Sequence, residues 1–384
     1  MLYRKFGNAD EKVSILGFGC MRLPVIDGKE DQIDEEEATR MIEFAIEKGV
    51  NYFDTAYPYH AGMSEPFVGK VLAKGYRDKV LLATKLPLWL VQTREDMDRF
   101  LDDQLERLQT DHIDFYLMHG FTRGYWNKMR ELGMFEFIEN AISSGKIKYI
   151  GFSFHDDITV FKEIIDGYDW DFCMIQYNFM DEDYQAGKQG LQYAKQKGID
   201  VAIMEPLRGG NLVQVPETVQ RIWDSAKIKR TPANWCFQYL WDQPEISIVL
   251  SGMSTFEQVE QNIAYAERGE ANSLTSNDKE VLQKVRKFYN EKMEVNCTNC
   301  KYCMPCPTGV NIPAAFTYLN SASMYDNVEK ASFQYGLFVP PEEAASKCTE
   351  CGLCEEHCPQ HIRIQEMLKR AVTVLENNRH PINI

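Results

Sequence analysis

Short β-branched segments alternate with longer amphipathic segments over most of this 384-residue chain. The amphipathic segments have apolar positions at helical spacing, as in residues 36–48. The predicted strands are Ile15–Cys20, Val50–Asp54, Val80–Lys85, Ile113–His119, Tyr149–Ser153, Phe172–Gln176, Val201–Glu205 and Ile246–Ser251. Eight strand–helix units over roughly 270 residues are what a closed parallel barrel requires. We therefore predict an α/β fold, a (β/α)8 TIM barrel, with a hairpin before Ser14 at its floor.

The last quarter of the chain carries eight of its eleven cysteines. A cysteine recurs every third residue in two runs, each followed by a proline: Cys297, Cys300, Cys303, Cys306 and Cys348, Cys351, Cys354, Cys358. The second run has the C-x2-C-x2-C-x3-C-P spacing of bacterial ferredoxins, in which the fourth cysteine of each run ligates the other run's cluster. The two runs therefore predict two [4Fe-4S] clusters.

Crossed ligation assigns four cysteines to each cluster. One cluster would take Cys297, Cys300, Cys303 and Cys358, and the other would take Cys348, Cys351, Cys354 and Cys306. The first run is one residue shorter before its last cysteine, which leaves the ligands unchanged but alters local geometry. Between the runs, residues 312–338 read as helix, so we predict a small α-helical ferredoxin-like domain. The expected domains are residues 1–290 and 291–384.

Two other uses of eight cysteines remain as alternatives. Structural zinc usually takes two C-x2-C pairs on separate segments, whereas here a third cysteine follows at once in both runs. A disulfide framework needs an oxidising compartment and is typical of much shorter chains. Residues 1–10 have no apolar segment of a secretion signal. The pattern favours clusters in a reducing, cytoplasmic setting.

Composition and charge exclude some classes of binding partner for this chain. The net charge of −15 argues against nucleic acid, whose binding depends on cationic contacts to phosphate. No apolar run approaches the roughly 18 residues of a membrane span. The hydrophobic fraction of 44% supports a full core. We expect a small-molecule substrate and neither nucleic acid nor membrane as a partner.

Polar residues end most of the predicted strands. Barrel enzymes place their chemistry at the carboxyl ends of the strands, because the loops there surround a common mouth. Those ends are Asp54, Lys85, His119, Ser153, Gln176 and Glu205. Three consecutive ends with charged or titratable side chains, on strands two to four, form a candidate active site.

Four motifs on these strands resemble the aldo/keto reductase family over nearly all of residues 1–290. They are Asp54-Thr55-Ala56 with Tyr59, then Ser64-Glu65 with Val68-Gly69, then Ala83-Thr84-Lys85, and Leu117-Met118-His119. The tail resembles that of a branch of the family with a C-terminal iron-sulfur domain. The resemblance implies an oxidoreductase with a catalytic tetrad of Asp54, Tyr59, Lys85 and His119.

The chemistry of this tetrad can be stated from the residue types. Reducing a carbonyl needs a proton on oxygen, and a phenol with an ordinary pKa of about 10 is a weak acid at neutral pH. A nearby ammonium favours the phenolate, so we expect Lys85 to lower the pKa of Tyr59, with Asp54 anchoring Lys85. His119 would orient the carbonyl or relay the proton.

The resemblance also implies a nicotinamide site, with departures. Ser153 and Gln176 match the family, but Phe154 stands where the family has Asn, and Met204 stands where it has a stacking Tyr. Phe154 cannot make the hydrogen bonds of an amide, whereas Met204 can lie against a ring through its sulfur. The nicotinamide contacts are thus expected from Ser153, Gln176 and Met204.

The segment from Ser251 to Asn262 matches the family's site for the adenosine 2′-phosphate. It has no Lys or Arg and carries Glu257 and Glu260. Because cationic side chains select NADP, we favour NAD(H), or loose discrimination between the two cofactors, over strict use of NADP(H). Ser251 and Asn262 are the expected contacts.

A cluster passes single electrons and nicotinamide moves a hydride, so a flavin is kept as a possible converter between them. The clusters would relay electrons to a redox partner protein such as a ferredoxin or flavoprotein. Two alternatives remain: a non-catalytic, electron-carrying protein with the barrel as a docking scaffold, and purely structural clusters. Pocket walls are expected from Trp89 and from Phe121, Arg123, Tyr125 and Trp126.

Overall fold

The computed structural model describes residues 1–6, 11–297, 303–358 and 360–377. The part of the chain before residue 253 contains ten β-strands among the described residues. In chain order they are β1 (Tyr3–Lys5), β2 (Lys12–Ser14), β3 (Leu16–Gly19), β4 (Tyr52–Asp54), β5 (Leu81–Leu86), β6 (Ile113–Phe121), β7 (Ile147–Phe154), β8 (Phe172–Gln176), β9 (Asp200–Met204) and β10 (Ile246–Gly252).

Eight of these strands close into a barrel. All neighbours are parallel, in the order β10-β3-β4-β5-β6-β7-β8-β9. Each predicted strand is present, with ends that differ from the prediction by at most two residues. The predicted (β/α)8 barrel is confirmed.

Amphipathic helices alternate with the strands along the chain and continue beyond the last strand, and their sequence periodicity is that of helices with one buried face. They are α1 (Glu35–Glu47), α2 (Ser64–Leu72), α3 (Arg94–Arg107), α4 (Arg123–Glu131), α5 (Met134–Ser143), α6 (Ile158–Gly167), α7 (Gly187–Gln196), α8 (Glu217–Asp224), α9 (Pro232–Trp241), α10 (Phe256–Ala266) and α11 (Ser276–Glu291). Local sequence signals set their starts. At α3, the Thr93 side chain accepts from the Asp96 N–H while Asp96 accepts from the Thr93 N–H, a capping box.

Large side chains fill the lower half of the barrel interior. Tyr52, Phe115 and Phe172 are fully buried there. The antiparallel strands β1 and β2 form the expected hairpin, with Tyr3 opposite Ser14, and Phe6 packs edge-on against Phe115 at 4.8 Å. The interior is therefore a packed core, and barrels of this kind place their chemistry at the carboxyl ends of the strands.

The chain divides into two compact units. The barrel unit comprises Met1–Gln214 and Lys227–Lys279, and the C-terminal unit comprises Val215–Ala226 and the chain from Glu280 onward. The division falls inside α11 and groups α8 with the C-terminal unit. The domain boundary predicted after residue 290 stays a prediction.

Helices form the framework of the C-terminal unit. They continue the series with α12 (Ile312–Tyr325), α13 (Val328–Phe338), α14 (Leu353–Glu356) and α15 (Ile364–Ala371), which runs into a π-helical turn at Val372–Glu376. Phe316, Leu319, Tyr335 and Leu368 are buried in its core. This confirms the helical character expected between the cysteine runs. Among the helices that the structure describes, none is long and apolar enough to cross a membrane.

Candidate functional site

Lys85 joins two of the other predicted site residues at the barrel mouth. Asp54 ends β4, Lys85 lies next to the end of β5, and Tyr59 lies in the loop after β4. Lys85 Nζ donates to Asp54 Oδ1 at 2.6 Å, to the Thr55 carbonyl at 2.8 Å and to the Tyr59 phenol oxygen at 3.3 Å. One ammonium therefore links a carboxylate and a phenol.

The Asp54–Lys85 ion pair is almost fully buried. Burial lowers the pKa of Lys85, but Asp54 and Tyr59 together raise it by more, so that its pKa lies above the ordinary value. Burial raises the pKa of Asp54, and Lys85 opposes this effect. The ammonium is thus held in its charged form, which is the role expected of Asp54.

The pKa of Tyr59 is raised, not lowered. Burial of the phenol has the largest effect, and the downward effect of Lys85 is smaller. The sequence-based expectation of a lowered pKa was therefore wrong in its net direction, because it did not include burial. The phenol therefore keeps its proton at neutral pH.

His119 lies near the end of β6, beside two aromatic rings. Its imidazole meets the Tyr59 ring edge-on at 6.3 Å and the Trp89 ring at 5.1 Å. Its Nδ1 atom is buried without a hydrogen-bond partner. Burial, Lys85 and His155 lower the pKa of His119 well below 6.5. The imidazole is therefore neutral at physiological pH, and His119 completes the cluster of four tetrad residues.

The predicted nicotinamide contacts lie on neighbouring strands. Ser153 is buried near the end of β7, where its hydroxyl accepts from the Gly120 N–H at 2.7 Å. Gln176 ends β8, and its amide donates to Asp181 Oδ2 at 3.0 Å. Met204 ends β9 and packs against the interior cluster of the barrel. Three adjacent strand ends therefore carry these side chains.

Asp181 was not among the residues expected from the sequence. It accepts hydrogen bonds from the side chains of Gln176 and Asn178, and Arg208 lies 3.4 Å away. Asp181 follows β8 in an irregular segment, so no strand or helix periodicity marked it. The acidic group orients Gln176 at the mouth.

Ser251 and Asn262 bond to each other. The Asn262 amide donates to the Ser251 hydroxyl at 3.0 Å, and both side chains are buried. This bond ties β10 to α10. The two residues thus hold together the segment that was expected to bind an adenosine phosphate.

Phe154 lies in the outer layer, away from the barrel interior. Side chains on a strand alternate between its two faces, and Phe154 shares the outer face of β7 with Phe152. Its ring meets that of Phe161 on α6 at 5.1 Å. Its position provides core packing.

The expected pocket walls are only partly at the mouth. Trp89 is 38% exposed and contacts His119. Phe121 and Trp126 are buried and pack edge-on against each other at 5.6 Å, and Arg123 pairs with Glu163 at 2.7 Å. The apolar character of Phe121 and Trp126 in the sequence therefore did not show whether they line a pocket or pack in the core.

Four cysteines of the C-terminal unit line one small pocket: Cys306, Cys348, Cys351 and Cys354. The first belongs to one run and the other three to the second run. The Glu350 N–H donates to Cys348 Sγ at 3.4 Å, and the Thr308 hydroxyl lies 3.5 Å from Cys306 Sγ. Four cysteine sulfurs around one pocket are the number of ligands that a four-iron cube takes.

The other proposed ligand set is only partly described. Cys297, Cys303 and Cys358 form no disulfide with another described residue, and Cys300 lies outside the described residues. Cys351 is exposed, whereas the other six described cysteines of the two runs are partly buried. Thiols free of disulfides are the form that cluster ligation requires.

Two family models match the chain, over its two parts. The model of the aldo/keto reductase family matches residues 15–279, and that of a 4Fe-4S dicluster domain matches residues 296–362. Among curated proteins, the uncharacterised oxidoreductase YrpG of Bacillus subtilis is 31% identical over 55% of this chain and 68% of its own length. The L-galactose dehydrogenase of Arabidopsis thaliana is 28% identical over 73% of this chain and 92% of its own.

Solved structures agree with the fold. The holo form of an aldo-keto reductase from Bacillus halodurans superposes with a TM-score of 0.62 and is 29% identical, covering 74% of this chain and 96% of its own. Its coverage leaves out about a quarter of this chain, a share that the C-terminal cysteine-rich part can account for. The chain therefore belongs to the aldo/keto reductase family and is an oxidoreductase with a C-terminal iron-sulfur domain.

Proposed function

We propose that the barrel interconverts a carbonyl and an alcohol on a small-molecule substrate, with Tyr59 as the proton donor. The observation that carries the proposal is the Lys85 ammonium, which contacts both the Asp54 carboxylate and the Tyr59 phenol. A proton donor, a cation to stabilise its anion and a carboxylate to fix the cation are what carbonyl reduction needs from side chains.

In the reducing direction, Tyr59 gives its proton to the carbonyl oxygen as a hydride reaches the carbonyl carbon. The phenolate that remains is stabilised by Lys85, whose charge Asp54 balances. His119 is neutral, so it donates a hydrogen bond that orients the carbonyl oxygen, and a proton relay is its alternative role. In the oxidising direction, the phenolate takes the proton of the alcohol.

A nicotinamide cofactor would supply or accept the hydride. We propose that Ser153, Gln176 and Met204 contact the ring, on three adjacent strands of the mouth. The segment from Ser251 to Asn262 is the proposed contact for the adenosine end. We favour NAD(H) over NADP(H), because Glu257 and Glu260 on α10 would repel the 2′-phosphate that NADP(H) carries and NAD(H) lacks.

We further propose two [4Fe-4S] clusters that relay single electrons to a redox partner protein. Crossed ligation is supported by the pocket that Cys306 shares with Cys348, Cys351 and Cys354. A flavin remains the alternative converter between hydride and single-electron chemistry. Quantifying iron, sulfide, flavin and nicotinamide on one anaerobic sample tests this: about eight irons per chain supports two cubes, and about four contradicts them.

The catalytic role of Tyr59 is tested by Tyr59→Phe. Removing the acid should lower the turnover of a small aldehyde with NADH by about 10²- to 10⁴-fold, because no other phenol is placed beside Lys85 in the described site. Steady-state kinetics under anaerobic conditions measure the effect. Tyr76→Phe, on the outer layer of the same unit, should keep wild-type turnover; full turnover by Tyr59→Phe contradicts the assignment.

A second candidate is an electron-carrying protein that uses the barrel as a docking scaffold. The observation that favours it is Phe154, which packs in the outer core where a hydrogen-bonding Asn would serve nicotinamide. Failure of both NADH and NADPH to bind, with clusters still reducible by a ferredoxin, would support this candidate. Full turnover after removal of the clusters from a folded protein would instead indicate that they are structural.

A further inference from the structure

Behind the proposed active site, Arg107 holds the loop that carries Tyr59. Arg107 ends α3, and its Nη2 donates to the carbonyl of Gly62 and lies 3.5 Å from that of Tyr57. The guanidinium also lies 4.5 Å from the centre of the Tyr57 ring. The two carbonyls flank Tyr59 on either side. Arg107 therefore clamps both ends of the loop.

The loop needs such a restraint. His60 and Ala61 have left-handed backbone conformations, with φ of 54° and 51°, which are unfavourable for residues with a Cβ. The His60 ring contributes from the other side, where Nε2 accepts from the Leu23 N–H at 3.2 Å and Nδ1 donates to the Glu30 carbonyl at 3.0 Å. Strained backbone persists only where surrounding contacts determine it.

Glu65 connects this clamp to the strand that carries Lys85. Glu65 is fully buried in the first turn of α2 and lies 2.9 Å from Arg107 Nε, a close charge contact rather than an aligned hydrogen bond. Its Oε1 accepts from the Thr84 hydroxyl and from the Gln104 amide, both at 2.6 Å. Thr84 directly precedes Lys85.

Gln104 completes the connection. Its amide donates to the Lys85 carbonyl at 3.0 Å, while its oxygen accepts from the Tyr116 hydroxyl at 2.7 Å. Close packing of α2 on α3 makes these short bonds possible: a Cβ at Gly69 would lie 2.6 Å from the Arg107 carbonyl oxygen. Gly69 thus permits the two helices to approach at the position of Arg107.

We propose that Arg107 and Glu65 are positioning residues that set the spacing between Tyr59 and Lys85. The contacts run from the Tyr59 loop through Arg107 and Glu65 to Gln104 and the Lys85 backbone. Neither residue touches the atoms proposed to react. The inference rests on the proposed roles of Tyr59 and Lys85.

Arg107→Lys tests this inference. A lysine keeps the charge, but its single ammonium cannot reach the two carbonyls and Glu65 in the fork geometry of arginine. We expect kcat for aldehyde reduction to fall by about 10- to 100-fold with little change in KM, since the loss is one of alignment. Arg99→Lys is the matched control, because Arg99 lies on the same helix in an exposed pair with Asp96 and should keep wild-type kinetics.

A double-mutant cycle separates alignment from general damage. In a Tyr59→Phe background, Arg107→Lys should cause no further loss of residual turnover, because the contact that it aligns is gone. A loss equal to that in the wild-type background overturns the inference. Glu65→Gln, which has the same shape without the charge, should lower kcat in the same way and serves if Arg107→Lys does not fold.

The two levels of proposal fail differently. Loss of turnover in Tyr59→Phe beside full turnover in folded Arg107→Lys overturns the positioning role alone. Full turnover in Tyr59→Phe overturns the proposed function and this inference with it.

Discussion

The protonation states of single residues at this site are set by their surroundings. An unperturbed histidine titrates near pH 6.5, but burial, Lys85 and His155 shift the pKa of His119 well below that value. The same burial raises the pKa of Tyr59, against the effect of Lys85. At neutral pH the site therefore holds a neutral imidazole and a protonated phenol beside a charged ammonium, which is the state that the proposed carbonyl reduction requires.

His119 should make folding stability depend on pH. Because the pKa of His119 is lowered in the folded state, this side chain binds a proton near pH 6.5 in the unfolded chain and stays neutral there in the folded chain. Stability conferred by this group is thus present above pH 6.5 and is lost as pH falls below it. Melting temperatures measured from pH 7 to pH 5 should fall less steeply for His119→Gln than for wild type.

Asn127→Gln is the control for this measurement. Asn127 is exposed on α4 and has no titratable group, so its replacement should leave the wild-type slope unchanged. The raised pKa values of Asp54 and Glu65 act with the opposite sign at lower pH, and comparison between variants cancels them. Equal slopes for wild type and His119→Gln would contradict the neutral assignment.

The geometry of strand β7 determines which of its side chains face the barrel interior and which face the surrounding helices. Its alternation directs Ser153 inward and Phe154 outward, so two neighbours in sequence have different environments. Comparison of residue types predicted the loss of an amide contact at position 154. It did not predict that the phenylalanine is part of the packing between β7 and α6.

Restoring an asparagine at position 154 should therefore not restore nicotinamide binding. Phe154→Asn removes a buried ring and buries an amide, so we expect the free energy of unfolding to fall by about 3 kcal/mol or more. Denaturant unfolding and fluorescence titration with NADH measure stability and affinity. Phe154→Leu, which keeps apolar packing, should be closer to wild type in stability with the same affinity; a gain in NADH affinity for Phe154→Asn would contradict this account.

At the scale of the whole molecule, two compact units combine different chemistries in one chain. The barrel unit carries the proposed tetrad. The C-terminal unit carries the two cysteine runs and also includes α8, which follows β9 in sequence. The chain thus leaves the barrel unit after Gln214 and returns at Lys227. The second unit is therefore built from two separate stretches of sequence.

Crossed ligation predicts that cysteines from different runs behave alike. Cys306→Ser and Cys348→Ser should each remove the same cluster, leaving about four irons per chain with the same electron paramagnetic resonance spectrum. Cys297→Ser is the comparison, since it should remove the other cluster and leave a different spectrum. The wiring is contradicted if the spectrum of Cys306→Ser matches that of Cys297→Ser.

Much of this protein's architecture could be predicted from the periodicity of its apolar residues and the spacing of its cysteines. The alternation of strands and helices determined the closed barrel, because each apolar face must be buried against a neighbour. The strand ends determined which residues, including Asp54, Lys85 and His119, share the mouth. Cysteine spacing determined the iron-sulfur character of the tail, because a backbone that places thiols every third residue can surround a cluster.

Only the tertiary structure decided what depends on distance between residues far apart in sequence. It brought Cys306 to the pocket of Cys348, and it linked Arg107 through Glu65 to the strand of Lys85. In the structure, the pKa of Tyr59 is raised where the sequence predicted a lowered one. Phe121 and Trp126, which were expected to line the pocket, are buried in the core. Burial and hydrogen bonding are properties of the packed chain, so the residue types determined which chemistry is available and the packing decided which of these residues take part in it.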